Sequence, residues 1–155
     1  MNYTKISPDD YDSFHKCLNA YYREGEDADT PQEEIDAFIR FLFDKIVSGE
    51  ISGCFADRSS ERVGFALWAL DTDGFQFSEM PGFGTVMEIG ILEPYRSSGL
   101  GSMLLTYVES RLKLQGAEAV YVSAYGPAVS FWRKCGYLEN GKTASNGLPI
   151  MIKSL

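Results

Sequence analysis

A glutamate and a glycine-containing turn lie close together in the middle of this 155-residue sequence. Glu88 belongs to an apolar run over residues 86–92, and the turn that follows has the spacing Arg96-x-x-Gly99-x-Gly101. A carboxylate can accept a proton from an amine. Glycines at a helix start let an anion approach main-chain N–H groups that have no intrahelical partner. These residue types indicate proton transfer beside a phosphate-binding turn, although two glycines also suit a plain strand-to-helix turn.

The turn can present such N–H groups only if it connects a strand to a helix. Residues 86–92 are β-prone and apolar, which predicts a strand. Apolar residues recur at helical spacing over residues 102–114, and Gly116 is placed to cap the end of that helix. Side chains alternate along a strand, so Glu88, Gly90 and Leu92 are expected on one face.

The rest of the sequence predicts further helices and strands in alternation. Ser7-Pro8 is expected to start a first helix with Ser7 as its N-cap, and Thr30-Pro31 to start a second through a capping box. The expected order is β-α-α-β-β-β-α-β-α-β-β, an α/β fold with a mixed sheet. The other predicted strands cover residues 3–6, 51–56, 62–70, 118–124, 137–142 and 148–154, with a short helix opening at Gly126-Pro127.

Two segments resemble a known family. The spacing Arg96-x-x-Gly99-x-Gly101 resembles the Arg/Gln-x-x-Gly-x-Gly/Ala pyrophosphate loop of the GCN5-related N-acetyltransferases, the GNAT superfamily. The element order also resembles the GNAT fold, in which the strands on either side of the long helix splay apart around the cofactor's pantetheine arm. The resemblance implies one GNAT-like acyl-CoA N-acyltransferase domain over residues 1–155. Residues 125–137 resemble the family's Asn-x-x-Ala-x-x-Phe-Tyr-x-Lys-x-Gly-Phe helix, with matches at Ala128, Phe131, Lys134 and Gly136 and a near match at Tyr137.

The resemblance implies acetyl-CoA as acyl-donor substrate, with no metal. We call residues 96–101 the diphosphate cradle: its main-chain N–H groups would bind the pyrophosphate, and Arg96 would add positive charge. The main chain of Ile91 and Leu92 would pair with pantetheine like an added strand. The full set of cofactor-binding residues that the resemblance implies is Ile91, Leu92, Arg96, Ser98, Gly99, Leu100, Gly101, Ser102, Tyr125, Phe131 and Trp132.

Catalysis by an N-acetyltransferase needs a base for the amine and a proton for the departing thiolate. Glu88 stands eight residues before Arg96, where many GNAT enzymes place a glutamate, so it is the candidate base. The alternative is a strand carboxylate satisfied by an arginine or a main-chain amide. Trp132 occupies the position of the family's usual tyrosine acid, and an indole N–H does not transfer its proton at neutral pH. Three explanations follow, in order: Tyr125 is the acid, water is the acid, or the protein is a non-catalytic acyl-CoA-binding sensor.

Composition excludes several classes of function. The net charge of −8, with no Lys/Arg cluster, argues against a nucleic-acid partner. No apolar run approaches the ~20 residues that span a bilayer, so no membrane partner is expected. The expected location is the cytoplasm. Three scattered cysteines and one histidine, His15, leave no metal or triad pattern, so His15 is expected to be structural. Residues 136–143 match the P-loop pattern letter for letter, but no helix start follows them, so an NTPase is not expected.

The acceptor is the least readable part of the sequence. In the family, the loop between the first two helices helps to form its site. That loop is acidic here, which favours a cationic amine such as a polyamine, an aminoglycoside or a peptide amine; the alternative is a solvated charged loop. A homodimer is left open. The residues concerned are Tyr21, Tyr22, Glu24, Glu26, Asp27 and Asp29.

Overall fold

The computed structural model describes residues 1–25 and 27–155, and this part of the chain forms seven strands and four α-helices. Their order is the predicted one. Short 3₁₀ turns at Glu93–Tyr95 and Gly126–Ala128 precede the third and fourth helices. The helices are α1 (Tyr11–Arg23), α2 (Gln32–Val47), α3 (Leu100–Leu114) and α4 (Val129–Lys134). The strands are β1 (Asn2–Lys5), β2 (Ser52–Arg58), β3 (Glu61–Leu70), β4 (Gly84–Ile91), β5 (Ala119–Ser123), β6 (Leu138–Thr143) and β7 (Pro149–Ser154).

The strands form one mixed sheet in the order β1-β2-β3-β4-β5-β7-β6. Strands β1 and β2, β5 and β7, and β6 and β7 pair antiparallel, whereas β4 and β5 pair in parallel. The parallel pair is the one joined through α3, as a right-handed βαβ unit requires. Its register places Gly84 opposite Val120 and Thr85 opposite Tyr121, at the first two residues of β4. The α/β class and mixed sheet expected from the sequence are confirmed.

The chain divides into two compact units, residues 1–67 with 88–105 and residues 68–87 with 106–155. In the first unit, α1 and α2 pack through aromatic rings: the centroids of Phe14 and Phe43 are 5.3 Å apart. His15 Nε2 lies 2.7 Å from Asp36 Oδ1, which joins the same two helices. His15 therefore has the structural role expected of it.

The second unit has a buried carboxylate at its centre. Asp71 follows β3 and is fully buried, and its Oδ2 accepts hydrogen bonds from the Tyr121 hydroxyl at 2.8 Å and from the N–H groups of Glu79 and Met80 at 2.9 Å each. Burial raises the pKa of Asp71, but hydrogen bonds from Ser78, Tyr121 and these two N–H groups outweigh it, so the pKa lies below its ordinary value. Asp71 thus fastens the segment that follows β3 to strand β5.

The first predicted helix start is wrong by three residues, since Pro8 was expected at the first position, and the second, expected at Pro31, is wrong by one. Helix α1 begins at Tyr11, because Asp10 Oδ2 accepts hydrogen bonds from the main-chain N–H and the hydroxyl of Ser7, at 2.7 and 2.9 Å, and makes a separate turn. Helix α2 begins at Gln32 without a side-chain cap, because the Thr30 hydroxyl turns back to Asp27 Oδ1 at 3.2 Å. In both places, short polar side chains form hydrogen bonds within a local turn instead of capping the helix.

Two smaller features complete the fold. The β2–β3 hairpin turns at Ser59 and Ser60, which have left-handed φ values of 51° and 67°. The stretch that matches the P-loop pattern contains β6, so a strand stands where a phosphate loop would need a helix start. No helix in the part of the chain that the structure describes is long and apolar enough to cross a membrane.

Candidate cofactor and active site

Strand β4 and the turn after it bring the predicted residues into one stretch. After β4, the 3₁₀ turn is closed by the N–H of Tyr95 on the Leu92 carbonyl at 2.9 Å and the N–H of Arg96 on the Glu93 carbonyl at 3.2 Å. Pro94 sits inside this turn, where its missing N–H costs no hydrogen bond. The chain then passes through the cradle into α3.

The cradle leaves a run of main-chain donors unpaired. Ser97 and Gly99 have left-handed φ values of 62° and 79°, and the Ser98 hydroxyl donates to the Tyr95 carbonyl at 2.6 Å. Ser98 and Gly99 are exposed, and a Cβ built on Gly99 would meet no atom within 4 Å. Over residues 1–25 and 27–155, no hydrogen bond is formed by the main-chain N–H of Ser98, Gly99, Leu100 or Gly101.

These unpaired donors have the charge and geometry that favour an anion. They stand at the N-terminus of a 15-residue helix, where the helix dipole is positive. The helix itself is fixed, because Leu100 and Leu104 are buried at 5% and 0% exposure. Ser102, also predicted to bind cofactor, lies exposed in the first turn of α3.

Arg96 is exposed, and two partners orient its side chain. Its Nε donates to the Ile91 carbonyl at 2.7 Å, and its Nη2 donates to Glu24 Oε2 at 2.9 Å. The same carboxylate oxygen accepts the N–H of Glu93 at 3.0 Å. The arginine of the cradle is therefore joined to the residue that follows α1.

The two residues predicted to pair with pantetheine are partly engaged within the protein. The N–H of Leu92 donates to the Val63 carbonyl at 2.8 Å, and its carbonyl accepts from Tyr95. The Ile91 carbonyl accepts from Arg96. The Leu92 N–H could pair with a ligand only by giving up its present bond, whereas each carbonyl keeps a second lone pair, and pairing with pantetheine remains a prediction.

Glu88 is half-buried on β4, beneath the end of α1. Burial raises the pKa of the Tyr22 hydroxyl, and the negative charge of Glu88 raises it further, so the two side chains lie close together. The Tyr22 hydroxyl is buried, and hydrogen bonding to Glu88 adds to the rise of its pKa. The neighbouring Tyr21 donates to the Ile89 carbonyl at 3.4 Å, and its ring would lie 2.7 Å from a Cβ on Gly90.

The other predicted residues belong to the second unit. Tyr125 is 41% exposed, and its carbonyl accepts the N–H of Ala128 at 2.8 Å. Trp132 is 6% exposed, with ring centroids 5.2 Å from Phe131 and 5.0 Å from Tyr137. Trp132 therefore packs the short helix α4 against Tyr137, the residue just before β6.

The acidic loop offers fewer free carboxylates than its sequence suggests. Glu24 is paired with Arg96, and Asp27 accepts the Thr30 hydroxyl. Arg23 donates to the carbonyls of Ala28 and Thr30 at 3.0 and 2.7 Å, which fixes the path of the loop. Glu26 lies outside the described residues. Within the described ranges, no group of three side chains could hold a metal ion.

Comparison with known proteins settles the family. A family model described as the acetyltransferase (GNAT) family matches residues 11–137. The chain belongs to the GNAT acetyltransferase family. A search of curated proteins gave no match.

Solved structures share the fold of this GNAT protein over nearly its whole length. PaiA N-acetyltransferase from Thermoplasma acidophilum, in complex with coenzyme A, is 16% identical with a TM-score of 0.74, covering 99% of this chain and 98% of that one. A GNAT family acetyltransferase from Brucella melitensis, in complex with acetyl-CoA, is 14% identical with a TM-score of 0.69, covering 99% and 87%. Ribosomal-protein-alanine N-acetyltransferase from Brucella melitensis is 15% identical with a TM-score of 0.70, covering 100% of both chains. At these identities the likeness is one of fold.

Two contacts of this GNAT protein escaped sequence reasoning. Arg96 and Glu24 are 72 positions apart, and no spacing rule connects them. Tyr22 was grouped with the acidic loop, but it lies against Glu88 on β4. The available signal was only the run of aromatic residues at the end of the first helix.

Proposed function

We propose that this GNAT protein is an N-acetyltransferase that moves an acetyl group from acetyl-CoA to a primary amine by direct attack in a ternary complex. The observation that carries the proposal is the cradle, with four consecutive unpaired N–H groups from Ser98 to Gly101 at a helix start. A diphosphate has the charge and the acceptor oxygens that such donors bind. Two of the solved structures with this fold hold coenzyme A or acetyl-CoA.

The chemistry follows from the surroundings of Glu88. Bound acetyl-CoA supplies the thioester carbonyl. Glu88 takes a proton from the substrate ammonium, directly or through water, and the freed amine lone pair forms the new C–N bond as the C–S bond breaks. A tyrosine hydroxyl is protonated at neutral pH even at its ordinary pKa, and the pKa of Tyr22 is raised further, so of this neighbouring pair we assign the base to Glu88.

The thiolate that leaves needs a proton, and Tyr125 is our first candidate to supply it. Its side chain is exposed, and its hydroxyl has no partner among the described residues. Trp132, at the family's usual acid position, is buried in ring contacts. Water is the second candidate, since a thiolate needs little help to leave.

The acceptor we propose is a cationic amine, either a small molecule or a peptide. The net charge of −8 would draw a cation toward the protein, and one solved structure of this fold is an enzyme named for acetylating ribosomal-protein alanine. Cys17, Cys54 and Cys135 are free thiols, which suits a reducing compartment, and we place the reaction in the cytoplasm.

The first experiment measures binding and turnover separately. Acetyl-CoA should raise the melting temperature increasingly as its concentration exceeds its Kd, and thiol should appear when an amine from a panel of polyamines, aminoglycosides and peptides is added. A melting shift with no thiol from any amine would favour the non-catalytic acyl-CoA-binding alternative. No shift at millimolar acetyl-CoA would refute both.

The second experiment tests the base. Glu88→Gln should lower the rate by about 10²- to 10⁴-fold and remove the acidic limb of the pH–rate profile. Glu118→Gln, which makes the same charge change at an exposed position, should leave both unchanged. A Glu88→Gln enzyme with the wild-type rate and profile would remove Glu88 from the mechanism.

The third experiment tests the acid. Tyr125→Phe keeps the ring and removes the hydroxyl, so the rate should fall while the Kd of CoA stays the same. An unchanged rate would assign the proton to water. A solvent isotope effect that disappears in Tyr125→Phe would support the tyrosine.

A further inference from the structure

We propose that Glu24 is a positioning residue of the diphosphate site, which holds Arg96 in place and couples CoA binding to the loop between α1 and α2. The inference rests on the proposed binding of CoA at the cradle. It adds a residue from outside the motif that defines the cradle.

The carboxylate of Glu24 receives two donors on one oxygen. Oε2 accepts from Arg96 Nη2 at 2.9 Å and from the N–H of Glu93 at 3.0 Å. The Glu24 side chain is only 19% exposed, so water competes weakly for it. Glu24 thus grips both the cradle arginine and the turn that leads to it.

Arg96 is fixed at a second point, through another nitrogen of its guanidinium. Its Nε donates to the Ile91 carbonyl at 2.7 Å. A guanidinium has five N–H donors in a planar fork, so two bonds orient the group and leave other donors for a ligand. A group held in place before binding loses less side-chain entropy when an anion arrives.

The same stretch of chain organises the loop on its other side. Arg23, adjacent to Glu24, donates to the carbonyls of Ala28 and Thr30 and to the side chain of Gln32 at 3.0 Å. The loop is therefore attached to Arg23, and the next residue is attached to the cradle. A diphosphate that tightens Arg96 will also steady the loop, and by linkage an ordered loop will favour the diphosphate.

The test is a double-mutant cycle on the Kd of CoA. Glu24→Ala should raise the Kd about tenfold, and Glu24→Gln, which retains an acceptor oxygen, should raise it less. In an Arg96→Ala background, Glu24→Ala should have no further effect, because its action passes through Arg96. A residue that served stability alone would give the same change in both backgrounds.

Matched controls separate charge and phosphate effects. Glu93→Gln removes a carboxylate from the same turn while leaving its main-chain N–H, and it should leave the Kd of CoA unchanged. Pantetheine, which has no diphosphate, should bind wild type and Glu24→Ala equally. CoA should slow hydrogen exchange at residues 27–30 in wild type and not in Glu24→Ala.

The outcomes distinguish the two proposals. A wild-type protein that binds no CoA would overturn the proposed function and this inference together. Wild-type binding with an unchanged or lower Kd in Glu24→Ala would overturn the inference alone. A loss that persists in the Arg96→Ala background would also reject it.

Discussion

The cradle depends on the backbone of one residue, Gly99. Its φ of 79° is a conformation that residues with a Cβ adopt at a cost, and the space beside it is open. We expect Gly99→Ala to raise the Kd of CoA at least tenfold, because the new methyl group occupies the direction from which a phosphate would approach. The measurement is calorimetric titration with CoA.

Gly74→Ala is the matched control for that change. Gly74 has nearly the same backbone angle, φ 83°, and a Cβ there also meets nothing within 4 Å. Both variants should lose similar stability, about 1 kcal/mol, from backbone strain alone. Equal CoA affinity in the two variants would mean that Gly99 serves only the turn.

The cradle could be predicted from the sequence because its residues are close together in the chain. The residues that hold it in place could not, because they are far away in the chain. Arg96, Gly99 and Gly101 lie within six residues, so their relation survives any error in the fold. The partner of Arg96 comes from another element, 72 positions away, and only tertiary structure shows it. The same applies to Tyr22 beside Glu88.

At the level of elements, the C-terminal end of α1 contacts both β4 and the turn after it. Tyr22 lies against Glu88, Tyr21 bonds to Ile89, and Glu24 holds the turn at Glu93. The first helix therefore acts as a brace for the strand that carries the proposed base.

The loop after β3 is expected to depend on the ionised form of Asp71. The pKa of this carboxyl is below its ordinary value, so its contribution to stability is complete above about pH 4 and is lost as pH falls through the lowered folded-state pKa. Asp71→Asn should lower the free energy of unfolding by about 2 kcal/mol at pH 7 and flatten the loss of stability below pH ~4. Denaturant unfolding at several pH values measures both.

A neighbouring carboxylate provides the comparison. Asp73→Asn changes an exposed residue of the same loop and should alter neither the stability at pH 7 nor the acid limb. If Asp71→Asn shows the wild-type acid limb, the carboxylate that titrates lies elsewhere. Tyr121→Phe, which removes one donor to Asp71, should give a smaller loss in the same direction.

Periodicity predicted the elements well and their first residues poorly. Apolar patterns indicated the helices and the buried strands, because burial decides these patterns, whereas the mostly exposed β1 and β6 carry little such signal. Helix starts depend on single hydrogen bonds. Ser7 with Asp10, and Thr30 with Asp27, formed turns of their own in place of the expected caps.

At the scale of the whole molecule, the net charge of −8 acts oppositely on the two proposed substrates. Salt screens attraction of a cationic amine and repulsion of anionic acetyl-CoA. Raising NaCl from about 20 to 200 mM should therefore increase the KM of the amine and leave that of acetyl-CoA unchanged or lower. Initial rates at both ionic strengths, with each substrate varied in turn against a saturating concentration of the other, measure the difference.

Parallel changes in the two KM values would contradict this expectation. They would mean that local groups, such as Arg96 beside the cradle, outweigh the electrostatic field of the whole protein.

The fold could be predicted at this scale because the order of elements is a property of the entire sequence. The acceptor could not be predicted in this way, since side chains from separate loops would select it.

The two serines at the β2–β3 turn are positions where substitution should increase the stability of the protein. Asn and Gly are the residues that such a left-handed two-residue turn favours, and Ser59→Asn with Ser60→Gly should add about 1 kcal/mol of stability. Thermal melts should shift upward by ~2–4 °C with CoA affinity unchanged. Destabilised cradle variants made in this more stable background would stay folded during the assay. A loss of turnover would then reflect a change at the site and not unfolding.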